Sequence, residues 1–215
     1  MEIREDFQRA RSGKEQAARR AEILDATEAL LRESGNDRFT ISALAKKVGI
    51  SKSTVFLYFS NKEELLATVY VRAGEDFFTR LRNSLHRGMT DLEFCEAFAN
   101  CALANPTLLI LRSMFASSFA QCLSQAFLVP ALQEYISIRT AASADIEDHF
   151  DLEPGQGRAV IRTFLNLMSG ALQVDVQRYI DTKNLPEDQL ETVRYANFRI
   201  AFLDGAELVM KGIRR

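Results

Sequence analysis

Two short apolar stripes hinged on Gly49 constrain this chain more than any other feature. Ile41, Leu44, Ala45 and Val48 recur at helical spacing before the glycine, and Val55 and Phe59 stand four residues apart after it. Thr40 and Ser51 are residue types that cap helix N-termini, because a side-chain oxygen there accepts from a backbone N–H of the first turn. Gly49 is predicted to take the left-handed backbone that ends the first helix, with Ile50 filling the corner. Ala45 is small enough to let the second helix approach. Lys52, Ser53, Thr54 and Tyr58 are left facing outward. Two helices packed across such a turn make a helix-turn-helix over residues 40–59, the arrangement in which the second helix enters the major groove of duplex DNA.

The flanking sequence completes a small core. Upstream, Ile23, Ala26, Thr27, Leu30, Leu31 and Ser34 fall on one helical face, and Gly35 supplies the stop. Downstream, Ser60 to Glu63 reads as a capping box with Ser60 as the cap. It opens a long helix carrying Leu66, Val69, Tyr70, Ala73, Phe77, Leu81 and Leu85. Further helices are expected at 91–104, 106–118, 125–150, 156–181 and 187–212, separated by glycine, asparagine and proline signals. No segment alternates as a strand, so the expected fold is all-α. The expected organisation is an arm over 1–16, read as a disordered leader, a DNA-binding head over 17–77, and a larger helical body over 78–215.

Charge and composition narrow the function classes. The net charge is −2, yet residues 1–62 carry +3 and the remainder −5, which suits a specific duplex binder better than a general polyanion binder. Residues 2–20 are charged and polar, unlike a secretory leader, and the most apolar stretch, Leu108 to Leu111, is too short to span a bilayer. Cys95, Cys101 and Cys122 lack metal-ligand spacing and read as free thiols, so a cytoplasmic setting is expected and no membrane partner. The Gly155–Gln156–Gly157 run lacks the further glycine and lysine of a phosphate loop. His86 and His149 have no nucleophile or ligand partner at a useful spacing. Neither catalysis nor a cofactor or metal is expected.

The head resembles the TetR family of transcriptional regulators. The resemblance rests on Ala18 to Ala26, Gly35, Phe39–Thr40, Leu44–Ala45, Val48 to Lys52, Val55 to Phe59 and Lys62 to Leu66. It implies phosphate contacts from Thr40 and Ser42, base and phosphate contacts from Ser51, Lys52, Ser53 and Thr54, and phosphate contacts from Tyr58 and Lys62. Two positions depart from the family pattern. Ser53 stands where many relatives have glycine. Phe56 stands where many have tyrosine, so it is expected to pack on sugar or a thymine methyl.

The resemblance also implies a small-molecule effector and a homodimer. The aromatic and thioether residues Phe94, Phe98, Met114, Phe115, Phe119, Phe127, Phe164 and Met168 are candidates for a pocket suited to an apolar or amphipathic effector, although such residues are also ordinary core. Arg112, Arg139, Arg162 and Asp175 could orient a polar end. The last two helices carry Ala171, Leu172, Phe198, Ala201, Phe202, Gly205, Ala206 and Val209, read as a face shared with a second copy. The function expected is a ligand-responsive repressor bound as a dimer to a palindromic double-stranded DNA operator. The alternatives are an activator of the same fold, a helical interaction module or an enzyme.

Overall fold

The computed structural model describes residues 2–35, 38–114, 120–175, 182–195 and 197–213, and the described residues are helices, short 3-10 turns and loops. Helix α1 (Glu2–Ser34), α2 (Ile41–Val48), α3 (Lys52–Tyr58) and the first half of α4 (Lys62–Ser84) enclose one core. Ile23, Leu31, Phe39, Leu44, Val55, Phe59, Leu65 and Val69 are buried in it. Thr27, also buried, donates its hydroxyl to the Ile23 carbonyl at 2.8 Å, so it enters the core without an unpaired polar atom. Gly35 and Gly49 both have positive φ, 68° and 74°, and close α1 and α2 as the sequence predicts. Helix α1 is already helical at Glu2, upstream of the expected head boundary.

Helix α4 continues without a break into the body, through the expected boundary at residues 77–78. There it meets α5 (Asp91–Leu103), α6 (Pro106–Met114) and α7 (Gln125–Phe150). Helices α8 (Gln156–Val174), α9 (Glu187–Tyr195) and α10 (Phe198–Ile213) complete the described body. Phe77, Phe78, Phe94, Phe98, Phe164, Phe198 and Phe202 are almost fully buried. Burying each such side chain stabilises the fold by about 1.5–3 kcal/mol. No single described helix is long and apolar enough to cross a bilayer, and the apolar pair α5–α6 is bent by 84°.

Several local expectations change. The cap of α4 is Asn61, not Ser60: its Oδ1 accepts from the Glu64 N–H at 2.7 Å, while the Glu64 carboxylate accepts from the Ser60 N–H at 3.2 Å. The cap is shifted by one residue, and Glu64 reaches past it to the Ser60 N–H, so the reciprocal box expected from Ser60 and Glu63 does not form. The expected helix at 187–212 is two helices. Asn197 starts α10 by accepting from the Arg199 N–H at 2.8 Å. Helix α8 ends at Val174, with Asp175 outside it, instead of running on to 181, and 176–181 lie outside the described residues.

Half of the expected dimer face is core of one subunit. Ala171, Phe198, Phe202 and Ala206 are buried, packed where α8 and α10 cross. A Cβ added at Gly205 would lie 2.9 Å from Leu167 Cδ2, so this small residue serves the α8–α10 contact within the chain. Leu172, Ala201, Gly205 and Val209 remain partly exposed. Half of the expected effector lining is also core. Phe94, Phe98 and Phe164 pack ring against ring, with Phe98 and Phe164 both 5.5 Å from Phe202, so they fill space instead of enclosing it. Met168 is fully buried. Phe115, Phe119 and the Met114 side chain lie outside the described residues.

One glycine is fixed by close packing. A Cβ on Gly74 would stand 2.5 Å from Cε2 of the buried Tyr135 ring. Gly74→Ala should therefore cost about 1–3 kcal/mol through overpacking. Gly13, in α1 with open space around it, should be stabilised by the same change by up to about 1 kcal/mol. Urea melts of both variants check the contrast. Equal effects at the two sites would contradict the packing.

Candidate nucleic-acid interface

The outer face of the head is built by caps. Thr40 Oγ1 accepts from the Ala43 N–H at 3.1 Å, and Ser51 Oγ from the Thr54 N–H at 3.0 Å. The backbone of Gly49 and Ile50 returns to α2, with the Ile50 N–H donating to the Ala45 carbonyl at 3.0 Å. This closes the turn and fixes the angle at which α3 leaves. Leu44 and Ala45 on α2 and Val55 on α3 hold the inner side. The other side of α3 is left to solvent.

All nine predicted contact residues reach the surface at least partly. Thr40, Ser42, Ser51, Lys52, Ser53 and Phe56 are exposed, while Thr54, Tyr58 and Lys62 are half-buried. The hydroxyls form one connected group, with Ser51 Oγ 2.7 Å from Ser53 Oγ and 2.8 Å from Thr54 Oγ1. Each hydroxyl can both donate and accept, so the cluster can match either kind of base-edge group by rotating its protons. Ser53 thus joins the network, where glycine would leave a gap.

Lys62 is more committed than expected. Its ammonium donates to the Phe39 carbonyl at 3.1 Å and lies 5.3 Å from the Phe39 ring centroid. It ties the loop before α2 to the start of α4. An ammonium has three donors, so two remain for a phosphate. Glu63 and Glu64 occupy the same first turn of α4 and oppose an anion there. Tyr58 stands beside Glu15, Arg19 and Glu22 of α1.

Sequence reasoning passed over Leu57 and Arg20. Leu57 is 83% exposed next to Phe56, giving α3 an apolar end that its polar start does not advertise. The stripe Val55–Phe59 was the available signal, since it leaves Leu57 on the opposite face. Arg20 packs over the Phe59 ring at 4.9 Å and props α1 against the end of α3. No spacing rule links those positions.

Behind the head, polar groups knot α4 to the body. Tyr70 on α4 donates to the Tyr135 hydroxyl on α7 at 3.2 Å. Arg112 on α6 donates to Tyr70 at 3.4 Å, and to Ser169 Oγ and the Leu165 carbonyl of α8 at 2.7 and 3.0 Å. Burial pushes the Tyr135 phenol well above its ordinary range, so it stays a neutral phenol while it accepts from Tyr70. Arg72 joins α4 to Asp25 and Glu28 of α1 at 2.6 and 2.7 Å. Next to it lies a cleft of about 360 Å³ between α1, α4 and α7, lined by Leu24, Val71, Phe127 and Pro130 among others. Of the predicted effector residues, Phe127 is the one placed in this cleft. Arg112, suggested as an effector anchor, is spent on the knot. Cys95 and Cys101 are buried free thiols, and burial pushes Cys95 up to about 12, so neither has the thiolate character of a redox pair.

The comparisons agree with this geometry. The pattern "Bacterial regulatory proteins, tetR family" matches residues 23–69, the segment from α1 into α4. Over 72 residues the chain is 29% identical to the fatty acid metabolism regulator protein of Bacillus subtilis, covering 34% of this chain and 37% of that one. Over 85 residues it is 29% identical to the nucleoid occlusion factor SlmA of Alteromonas mediterranea, covering 40% and 44%. The chain therefore matches less than half the length of these curated relatives. In overall fold it is similar to a transcriptional regulator from Rhodococcus, at 17% identity with a TM-score of 0.57, covering 90% of this chain and 96% of that one. It is likewise similar to the TetR family regulator PfmR of Thermus thermophilus, at 18% identity with a TM-score of 0.51, covering 90% and 99%. The head of the chain thus matches the pattern of the TetR family of bacterial regulatory proteins over residues 23–69, and the chain as a whole shares the helical fold of these solved regulators.

Proposed function

We propose that the chain is a sequence-specific, DNA-binding transcriptional regulator whose α3 reads the major groove. The observation that carries this reading is the face of α3, where three linked hydroxyls and the Lys52 ammonium sit on a helix whose other side is locked into the head core. Thr40 and Ser42 at the start of α2, with Tyr58 and Lys62, flank that face as phosphate contacts. Phe56 and Leu57 supply apolar contact for sugar or thymine methyl groups.

A seven-residue helix covers few base pairs, so specificity calls for two heads. The reading is a two-fold homodimer on a palindromic operator, with heads about 34–36 Å apart. The partly exposed Leu172, Ala201, Gly205 and Val209 and the exposed Leu208 on α8 and α10 form the face proposed to meet the second copy. Control by a small effector would act through α4, which carries the Tyr70 knot at one level and the head core at another. A coupling of about 1–3 kcal/mol between sites changes operator affinity 5- to 150-fold. We read the chain as a repressor released by its effector, since an effector that reorients α4 alters the spacing of the two heads.

Selection from a pool of randomised duplexes tests the reading. Enrichment of a two-fold symmetric motif is expected; a pool that enriches nothing contradicts it. On the enriched duplex, Thr54→Ala should change the ranking of base substitutions, with discrimination falling by about 1–3 kcal/mol at one position of each half-site. Lys62→Ala should weaken every duplex alike, and it should also lower the melting temperature because the tie to Phe39 is lost. Mutant duplex panels and thermal melts separate these effects, and identical behaviour of the two variants would overturn the assignment.

A further inference from the structure

A second site lies on the far side of the body, where α7 meets the start of α8. Ile136, Arg139, Thr140 and Ser143 of α7 and Arg158 and Arg162 of α8 line a cavity of about 180 Å³. Three arginine side chains line one small space that has no acidic residue in its wall. Three other arginines of the body are ion-paired: Arg80 with Asp76, Arg82 with Asp145, and Arg199 with Glu96. Among the described residues, Arg139, Arg158 and Arg162 have no such partner. Arg139 Nε is buried and, among the described residues, is the one buried side-chain nitrogen or oxygen without a hydrogen-bond partner. A native fold that leaves a charged donor buried and unpaired has a standing cost, which a bound acceptor would remove.

The local carboxylate that could neutralise the cluster is engaged elsewhere. Glu147 Oε1 accepts from the Gly155 and Gly157 N–H groups, both at 2.9 Å, where the chain turns into α8. Gly157 is required for that approach, since a Cβ there would lie 2.3 Å from the Ser143 carbonyl. The turn thus holds Arg158 and Arg162 beside Arg139 while occupying the Glu147 carboxylate. On α7 an exposed apolar stripe leads away from the cavity. Ile136 in its wall is followed at helical spacing by Leu132 and Val129, exposed by 54%, 37% and 52%.

We propose that this cavity binds the oxyanion head of a small amphipathic ligand, a phosphate monoester or a carboxylate, with its alkyl part lying along Ile136, Leu132 and Val129. Guanidinium forks match the oxygens of either head group. The site is separate from the aromatic core and from the α1–α4–α7 cleft. It does not depend on DNA recognition, so it can fail while that reading stands. The Arg139 guanidinium also lies 5.8 Å from the Tyr135 ring, one residue from the Tyr70 knot on α4.

Calorimetric titration of the full chain with octyl phosphate, octanoate, octyltrimethylammonium and octyl glucoside tests the site. One saturable site per subunit is expected for octyl phosphate or octanoate, and which of the two binds identifies the head group. The double variant Arg158→Gln/Arg162→Gln should reduce that affinity by about tenfold or more, as the loss of charge-assisted hydrogen bonds implies. Both residues are exposed on α8, so the variant is expected to melt as the parent does. Binding by neither anion, an equal response to the cationic or neutral octyl compound, or undiminished binding by the double variant would overturn the proposal. So would a double variant that instead fails to dimerise, because the arginines would then belong to an interface between copies.

Discussion

Helix α4 is one continuous helix whose buried residues join the head to the body, and the rest of the molecule is arranged around that fact. Its first turns carry Leu65, Leu66 and Val69 into the head, and its last turns carry Phe77, Phe78 and Leu81 into the body. A continuous helix has no hinge to absorb a displacement, so a shift at one end must appear at the other or break buried contacts. Gly74 is the point where this helix lies closest to α7, and Tyr135 fills the space that a side chain would need. The polar knot of Tyr70, Tyr135 and Arg112 sits one turn before it. Burial makes those hydrogen bonds specific, since each group left unpaired there would be penalised.

The head achieves its geometry with very few residues. Two cap side chains, Thr40 and Ser51, and the left-handed Gly49 satisfy ends of helices only seven or eight residues long, which have little stability of their own. Packing on Phe39, Leu44, Val55 and Phe59 supplies the rest. The consequence is a recognition surface whose hydroxyls are already ordered: Ser51 caps α3 and also positions Ser53 and Thr54. Structure and proposed recognition therefore draw on the same atoms, and Lys62 has the same double duty between Phe39 and phosphate.

The head was legible in the sequence because its signals are local. Caps, the glycine turn and the four-residue apolar spacing act within one or two helical turns, and the structure places Thr40, Gly49, Ser51 and Val55 as those signals predict. The body was legible in its helices but poorly in the use of their faces. Phe98, Phe164, Phe198 and Phe202 show the same spacing whether they line a pocket, meet a second copy or pack together, and only their mutual distances decide. Asn197 breaks the last helix by a side-chain cap that competes with a favourable helical pattern around it. Arg112 and Arg139 read alike in sequence, yet one is fully bonded and the other has a buried orphan nitrogen.

The central claim, that α3 enters the major groove of a specific duplex, is tested most directly by dimethyl sulfate protection on the selected operator. Guanine N7 lies in the major groove and adenine N3 in the minor groove, so the reagent reports both surfaces at once. The account predicts protection of guanines in two clusters about 10 base pairs apart, one beneath each head. Unprotected guanines on a duplex that the chain demonstrably binds, or protection confined to adenine N3, would contradict it.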